Sequence, residues 1–461
     1  MTHRKGASLE KGSQKDAPSQ QAQVIWEKLR TSFWLVPTIM GLLGGLLAWL
    51  GYSGDLVLSR QAAAAAPPLV YLGTADHARD VIATLLSSMI TMTSLVFSIT
   101  MVVLTLAASQ FGPRLIRSFM SSHHTQVVLG TFIMTTVYCL LVLGSIGSYT
   151  SQEQQAFASV SGAIALALAS LALLVMFLHF LARSIVSETV IHRVGLELDH
   201  SIRDLEPVEK TQEADPRTAL PAEFEQTAKF FGPPGQGYVQ AIDYESLVAH
   251  AEGADVMIGL YFAPGDYVVI DGGGIGVYPT DRCTAELEHQ ISRAMLLGPH
   301  RTPTQDIEFS IRHLVEIAVR ALSPGINDPY TAAAVINQLS ASLSLLMGRA
   351  MPPAVLHDTA GKLRVSSPRA TYATLLSAGF NQIRQNAAGK PFVVIYLIEA
   401  IIRIADHVRL ESQRSALQEQ LNAILSDARR DIPDGYDMET ISARAEAASR
   451  LLAQSTVSTS E

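Results

Sequence analysis

The stretch VIATLLSSMITMTSLVFSITMVVLTLAAS, Val81 to Ser109, decides the fold. It carries no charged residue and exceeds the roughly 20 residues a helix needs to cross a hydrocarbon core. Lipid offers no partner for an open strand edge, so a membrane helix is the sensible reading. Within it stand Thr84, Ser87, Ser88, Thr91, Ser94, Ser98, Thr105 and Ser109. At 100° per residue these hydroxyls share an arc of about 120°, while Thr93 and Thr100 fall opposite, and the stripe runs about 37 Å along the axis. Such a stripe has two readings. Ser and Thr commonly join packed membrane helices. In an oligomer, the same stripe facing a shared axis makes a polar, uncharged pore wall. Met101 and Val102 interrupt it and suit a constriction. Arg114, Arg117, His123 and His124 follow; they would stand near the inner mouth and slightly favour anions.

Three further stretches are long and apolar enough to span: Phe33 to Tyr52, Val127 to Gly147, and Phe157 to Ala182. Trp34, Trp49 and Tyr52 sit at the ends of the first, where amphipathic rings prefer the headgroup level. Gly41 and Gly45 form a small-xxx-small pair, and the fourth stretch is rich in Gly162, Ala163, Ala165, Ala167, Ala169, Ser170 and Ala172, so both are close-packing faces. The alternative is that this Ala-rich helix lines an axis above a β-rich domain, by fold-level analogy with small mechanosensitive channels. His179 is the ionisable exception inside the spans. Missing mid-membrane Asp, Glu and Arg argue against proton or sodium coupling.

Basic flanks set the orientation. Arg4, Lys5, Lys11, Lys15, Lys28 and Arg30 precede the first span, and Arg183, Arg193 and Arg203 follow the fourth. The loop between the third and fourth spans holds Glu153 and no Lys or Arg. Both termini are therefore expected in the cytoplasm of a bacterial inner-membrane protein, with Ser53 to Asp80 outside and the Arg114–Arg117 loop inside. A cleaved leader ending near Ala62 to Ala66 competes for the first segment, but the basic region is too long and the apolar run too extended for it.

Composition agrees. Of 461 residues 48% are apolar and 16% charged, and the apolar excess collects between Phe33 and Ala182. A purely soluble enzyme, a disordered chain and a fibrous protein are excluded. A net charge of −8 gives no general affinity for nucleic acid. Cys139 and Cys283 supply neither a disulfide framework nor a zinc spacing.

Beyond the spans, Ser184 to Leu205 reads as an amphipathic helix and Glu206 to Pro221 as a linker. His192, Glu197 and His200 on that helix match no metal motif and read as a solvated face. Tyr238–Asp243, Val256–Phe262, Tyr267–Asp271 and Ile275–Tyr278 read as four short strands of a small barrel or sandwich. Turns are expected at Pro264-Gly265-Asp266 and Gly272-Gly273-Gly274; no Lys-Ser or Lys-Thr follows the triple glycine, so it is no phosphate loop. From Cys283 to about Ala453 the chain is mostly helical. Ile307, Ile311, Leu314, Val315, Ala318 and Leu322 share one face, beside the alternating ladder Glu308, Arg312, Glu316 and Arg320. The run Ala-Leu-Ser-Pro-Gly-Ile-Asn-Asp-Pro, 321–329, breaks and restarts a helix. Ser323, Gly325, Asn327 and Asp328 form either a capped corner, with Gly325 ending one helix and Asn327 or Asp328 opening the next, or a binding loop at a helix N-terminus.

The block Arg301-Thr302-Pro303-Thr304-Gln305-Asp306-Ile307-Glu308-Phe309, that corner run, and Phe380-Asn381-Gln382-Ile383-Arg384 resemble a family of predicted bacterial membrane proteins. The resemblance covers roughly Glu27 to Arg450. It implies an inner-membrane location and carries no activity and no catalytic residues.

The expected organisation is a disordered basic tail over 1–26, a four-helix transmembrane domain over 27–184, an amphipathic helix and linker over 185–230, a small β domain over 231–281, a helical cytosolic domain over 282–453 and a disordered tail over 454–461. The expected function is a homo-oligomeric channel gated or assembled by its cytosolic half. A membrane-anchored sensor or scaffold, binding a ligand or partner protein, is the alternative. No nucleophile elbow, H-E-x-x-H, Walker loop or metal cluster stands out, so neither an enzyme nor a cofactor is expected.

Overall fold

A computed structural model describes residues 34–60, 75–112, 123–146, 157–184, 186–208 and 220–454. The tail over 1–26, Arg114, Arg117, Glu153 and most of the linker and the C-terminal tail lie outside the described residues. The chain divides into two compact units, Met1–Ser109 with Pro113–Arg183, and Gln110–Gly112 with Ser184–Glu461.

The first unit holds α1 (Leu35–Arg60), α2 (Ala75–Phe111), α3 (His123–Ile146) and α4 (Phe157–Ser184). All four contain apolar segments long enough to cross a membrane. The third is the central one: 56% of its span is buried inside the unit, against 17% for each of the others. Its Leu129, Phe132, Cys139 and Val142 are enclosed by side chains from α2 and α4, and its face toward α1 packs along most of its length. The close approach to α1 falls at Gly44, where an added Cβ would stand 2.5 Å from the Met134 carbonyl oxygen. At Gly41 and Gly45 it would meet side chains at ordinary distances of 3.5 and 3.6 Å. The expected pair thus flanks the glycine the packing requires.

Polar groups inside this unit bind helix to helix. Thr135 and Ser170 share a hydrogen bond of 3.0 Å between α3 and α4. The Tyr138 hydroxyl donates to the Ser159 carbonyl at 2.9 Å. Asp55, three residues beyond the expected end of the first span, is buried and accepts from the Ala158 and Ser159 amides at 2.6 and 3.3 Å. A carboxylate from α1 thereby satisfies donors that the start of α4 leaves open.

The second unit begins with α5 (Ser187–Arg203) and a short helix α6 (Phe224–Thr227). Then come β1 (Lys229–Phe231), β2 (Gly237–Ile242), α7 (Tyr244–Gly253), β3 (Met257–Leu260), β4 (Tyr267–Val268) and β5 (Ile275–Tyr278). Helix α8 (Ala285–Arg293) and β6 (Met295–Gly298) lead to α9 (Ile307–Ala321) and α10 (Pro329–Leu346). A hairpin, β7 (Val355–His357) and β8 (Leu363–Ser366), precedes α11 (Tyr372–Asn386), α12 (Pro391–Ala405), α13 (Glu411–Asp431) and α14 (Tyr436–Gln454).

Two sheets form, a five-stranded one in the order β1-β5-β3-β8-β7 and a three-stranded one in the order β4-β2-β6. Among the described strands only the β3–β8 pairing is parallel. Val239, Ile258, Ile275, Val277 and Val365 from the strands bury against Leu247 of α7 and Ile291 of α8. No closed barrel forms among the described residues, which corrects the barrel expectation. The sheets stay open, with β1 and β7 at the edges of the larger one, and helices cover the strands. The stretch read as helical also lends β6, β7 and β8. Three or four residues are too few for a period-2 pattern to declare itself.

An ionic cluster fastens the hairpin to the sheet. Buried Arg364 donates to Asp358 at 2.7 Å and to Asp255 at 2.9 Å, and Asp255 also pairs with Arg282 and Lys362. Lys362, Arg282 and Arg364 hold the Asp255 carboxyl well below the usual carboxylate range. The Lys362 amide and Arg364 do the same for Asp358. Both groups titrate lower in the folded chain than in an unfolded one. Their stabilisation is therefore complete above the ordinary carboxylate range, near about pH 4, and is lost as pH falls through the depressed folded values. Asp255→Asn is expected to lower the thermal midpoint of the full-length chain at neutral pH. The gap from the unsubstituted chain should narrow as the pH is taken below about 4; a gap independent of pH contradicts the assignment.

Candidate functional site

All eight hydroxyl residues of the stripe on α2, Thr84, Ser87, Ser88, Thr91, Ser94, Ser98, Thr105 and Ser109, are exposed on the outer face of the first unit. The opposite face supplies the packing: Ile82, Met89 and Val96 are buried, Thr100 is buried and Thr93 half-buried. The helical phase read from the sequence is thus the phase of the folded helix. Among the described residues of the first unit, no neighbouring helix seals the stripe.

The hydroxyls are held by their own helix. Thr84 donates to the Asp80 carbonyl at 2.8 Å, Ser88 to Thr84 at 2.8 Å, Thr91 to Ser87 at 3.0 Å, Ser94 to Ile90 at 2.9 Å, Thr105 to Met101 at 2.9 Å and Ser109 to Leu106 at 2.8 Å. A hydroxyl whose proton is committed to a backbone carbonyl turns its lone pairs outward. At these six positions the face therefore presents acceptor oxygens. Met101 and Val102, the interruption, are 66% and 65% exposed on the same side. Asp80 and Asp76, also exposed, lie one and two turns before Thr84 in the same angular sector. The sequence reading stopped at Val81 because it followed the charge-free run, and so missed them.

The other two outward spans differ. The exposed side of α1 carries Trp34, Ile39, Leu42, Leu46, Trp49 and Leu50, and that of α4 carries Leu168, Leu171, Val175, Met176 and Leu178. His179 is exposed on α4, and His124 of α3 stacks on Phe180 with ring centroids 5.5 Å apart. The inner-mouth residues Arg114 and Arg117 lie outside the described residues.

The second candidate, the corner at 323–328, is built by local bonds. The Ser323 hydroxyl donates to the Arg320 carbonyl at 2.6 Å, and the Ser323 carbonyl accepts from the Ile326 and Asn327 amides. Asn327 adopts the left-handed conformation, φ +47°, a role the sequence reading gave to Gly325. Asn tolerates that region better than most residues, so either assignment was chemically open. Asp328 caps α10: Oδ1 accepts from the Tyr330 and Thr331 amides at 3.1 Å each, and Oδ2 from the Thr331 hydroxyl at 2.6 Å. Pro329 occupies the first turn, where it lacks only a donor that has no helical partner.

The block 301–309 joins layers. Gln305 pairs its amide with both the Ile242 N–H and C=O, at 3.0 and 3.1 Å, and so extends the backbone bonding of β2. Buried Asp306 caps α9 through the Phe309 amide at 3.2 Å and accepts from Arg301 at 2.8 Å. Burial pushes its carboxyl up while Arg301 pulls it down. Gly265, at φ +97°, leaves room for that pair, because a Cβ there would strike the Asp306 carboxylate. The ladder on α9 holds the pairs Arg312–Glu308 at 2.6 Å and Arg320–Glu316 at 3.2 Å, and Arg301 also reaches Glu308 at 3.6 Å. Among the described residues no three His, Cys, Asp or Glu side chains converge on a metal position.

Four apolar spans joined to a mixed α/β unit define a multi-span membrane protein with a sizeable extramembrane part. The chain belongs to the family described as Predicted membrane protein (DUF2254), whose profile matches residues 30–403. It is similar to uncharacterized proteins of Mycobacterium tuberculosis and Mycobacterium bovis. Each is 33% identical over 425 residues, covering 90% of this chain and 80% of the relative. No solved structure matches the chain.

The corner geometry gives a direct expectation. Asp328→Ala should cost about 0.5–2 kcal/mol of stability through the lost cap, measured by thermal or denaturant unfolding. Asn327→Gly should be close to neutral, since glycine adopts a positive φ freely.

Proposed function

We propose that the chain is a homo-oligomeric membrane channel in which the hydroxyl face of α2 lines the conducting path and the second unit assembles or gates it. One observation carries the reading. Of the three spans with broad outward faces, α2 alone carries a long row of hydroxyls there, interspersed with exposed Leu95, Val102 and Leu106, while α1 and α4 present mainly large apolar side chains. The bonds to the helix's own carbonyls make the hydroxyls tolerable in lipid but do not explain their confinement to one arc. A shared axis explains it. The exposed pair Met101 and Val102 then forms the apolar constriction.

The expected slight preference for anions rested on Arg114, Arg117, His123 and His124, of which the two arginines lie outside the described residues. The described wall favours the opposite charge: hydroxyl oxygens turned outward as acceptors, with Asp76 and Asp80 in register at one end. The permeant species we favour is therefore a small cation. The excess of Lys and Arg before the first span supports a bacterial inner-membrane protein with both termini cytoplasmic. The sensor or scaffold alternative draws little support from the corner, where the Asp328 carboxylate and the Ser323 hydroxyl are spent on the fold.

Recordings from the purified full-length protein in planar bilayers test the proposal. Unitary currents are expected, with Ser94→Leu or Ser98→Leu lowering conductance by about twofold or more. Asp80→Asn should reduce cation preference. Silence, or currents indifferent to all three substitutions, contradicts it.

A further inference from the structure

The end of the second unit from which α5 starts carries a cluster of exposed apolar and aromatic side chains. Tyr330 is 74% exposed, Ile326 46%, Val186 41% and Phe392 36%. The Tyr330 and Phe392 rings meet edge to face at 5.2 Å, and Phe392 leans on Tyr396 at 4.8 Å. Large aromatic side chains left open beside a tight corner call for an occupant.

The register of the helices shows where this cluster stands. Helix α5 runs parallel to α10. A Cβ on Gly195 would fall on the Gln338 side chain, Asp199 accepts from the Ser342 hydroxyl at 2.6 Å, and the Leu205 carbonyl accepts from Arg349 at 2.9 Å. The same offset carries Ser187, the first residue of α5, to Tyr330, the second of α10. Helix α12 runs the same way: Arg403 reaches Ser340 and Asn337 at 3.1 and 2.8 Å, while Phe392 meets Tyr330. The starts of α5, α10 and α12 and the corner at 323–328 thus share one end. Ser187 lies three residues after Ser184, where the fourth span closes. Chain continuity alone keeps the start of α5 within about 10 Å of that point.

Charged groups of both signs border this end. The Lys390 ammonium is held at the rim by the Leu322 and Asn386 carbonyls, at 3.1 and 3.0 Å. Arg429 and Arg430 are exposed at the close of α13, whose Asp431 carbonyl lies 3.9 Å from a Cβ built on Gly389. Arg430 pairs with Asp427 and Asp431, Asp328 is turned onto backbone amides, and Glu188 on α5 is an exposed acid. Aromatic and apolar side chains at headgroup level, with Lys390 and Arg429 beside them, are the composition of an interfacial anchor.

We infer that Val186, Ile326, Tyr330 and Phe392 form a lipid-docking face, which seats this end of the second unit in the headgroup layer of the leaflet from which α5 emerges. The face gives the unit a second hold on the bilayer besides its covalent link. It stands whether or not α2 lines a conducting path.

The test uses the full-length protein in nanodiscs of phosphatidylcholine and phosphatidylglycerol. An environment-sensitive fluorophore is attached at Ile326→Cys, and at Ser412→Cys as the distant control. Ser412 is exposed and adjoins Gln413, which bonds the Met347 carbonyl at the far end of α10. The unsubstituted chain, whose two cysteines are buried, is the labelling blank. Replacing part of the lipid with a headgroup-proximal spin-labelled analogue should quench the probe at 326 by roughly half, as expected for a group at the headgroup boundary, and leave the probe at 412 unchanged. A probe at 326 that escapes the lipid quencher overturns the inference, whether aqueous iodide reaches it or protein shields it from both. Equal quenching at both positions also overturns it, since the face would then not be special.

Discussion

A helix in hydrocarbon must satisfy its own polar groups, and α2 does so while carrying eight hydroxyls on its outer side. Six of them return their proton to a carbonyl one turn back. That bond is the constraint on which the account depends. It lets the face exist in a bilayer at all, and it fixes which part of each hydroxyl looks outward. At those six positions the donor is consumed and the acceptor remains. The chemical character of the face at those positions follows from that asymmetry.

The remainder of the first unit is arranged so that α2 can keep this face free. Helix α3 takes the central position and supplies the partner surface for the others. Close approach at Gly44, the Thr135–Ser170 bond and the Asp55 cap on α4 hold α1, α3 and α4 to one another without recruiting the stripe. The polar residues that act as glue are therefore different residues from the polar residues of the outer face. Had the stripe been needed for packing, Thr93 and Thr100 on the inner side show how it would have looked, buried or half-buried with their protons on Met89 and Val96.

Much of this was legible in the sequence because the physics is local. A charge-free run announces a span, and a 100° step announces which hydroxyls share a face. Gln305, Asp306 and Asp328 stood out as a block and a cap. What stayed hidden depends on residues distant in sequence. Arg364 is buried because Asp255, more than a hundred residues earlier, meets it across the sheet. Strands β7 and β8 are too short to show a period, and β8 exists because β3 offers it a parallel edge. Asp55 lies beyond the apolar run, and its role needs the first turn of α4 beside it. At the corner, Gly325 and Asn327 were both eligible for the left-handed position, and the bonds to the Ser323 carbonyl fell to Asn327.

The most direct test is water access to the outer side of α2 in the reconstituted full-length protein. Single cysteines at Ser87, Ser94, Ser98 and Thr105 would be challenged with a small, charged, membrane-impermeant thiol reagent, beside cysteines at Leu46 and Leu171 on the apolar outer faces of α1 and α4. The account predicts modification along α2 and none at the two control positions. Protection of all four α2 positions, matching the controls, would mean that the face is covered by lipid or by another helix, and would contradict it.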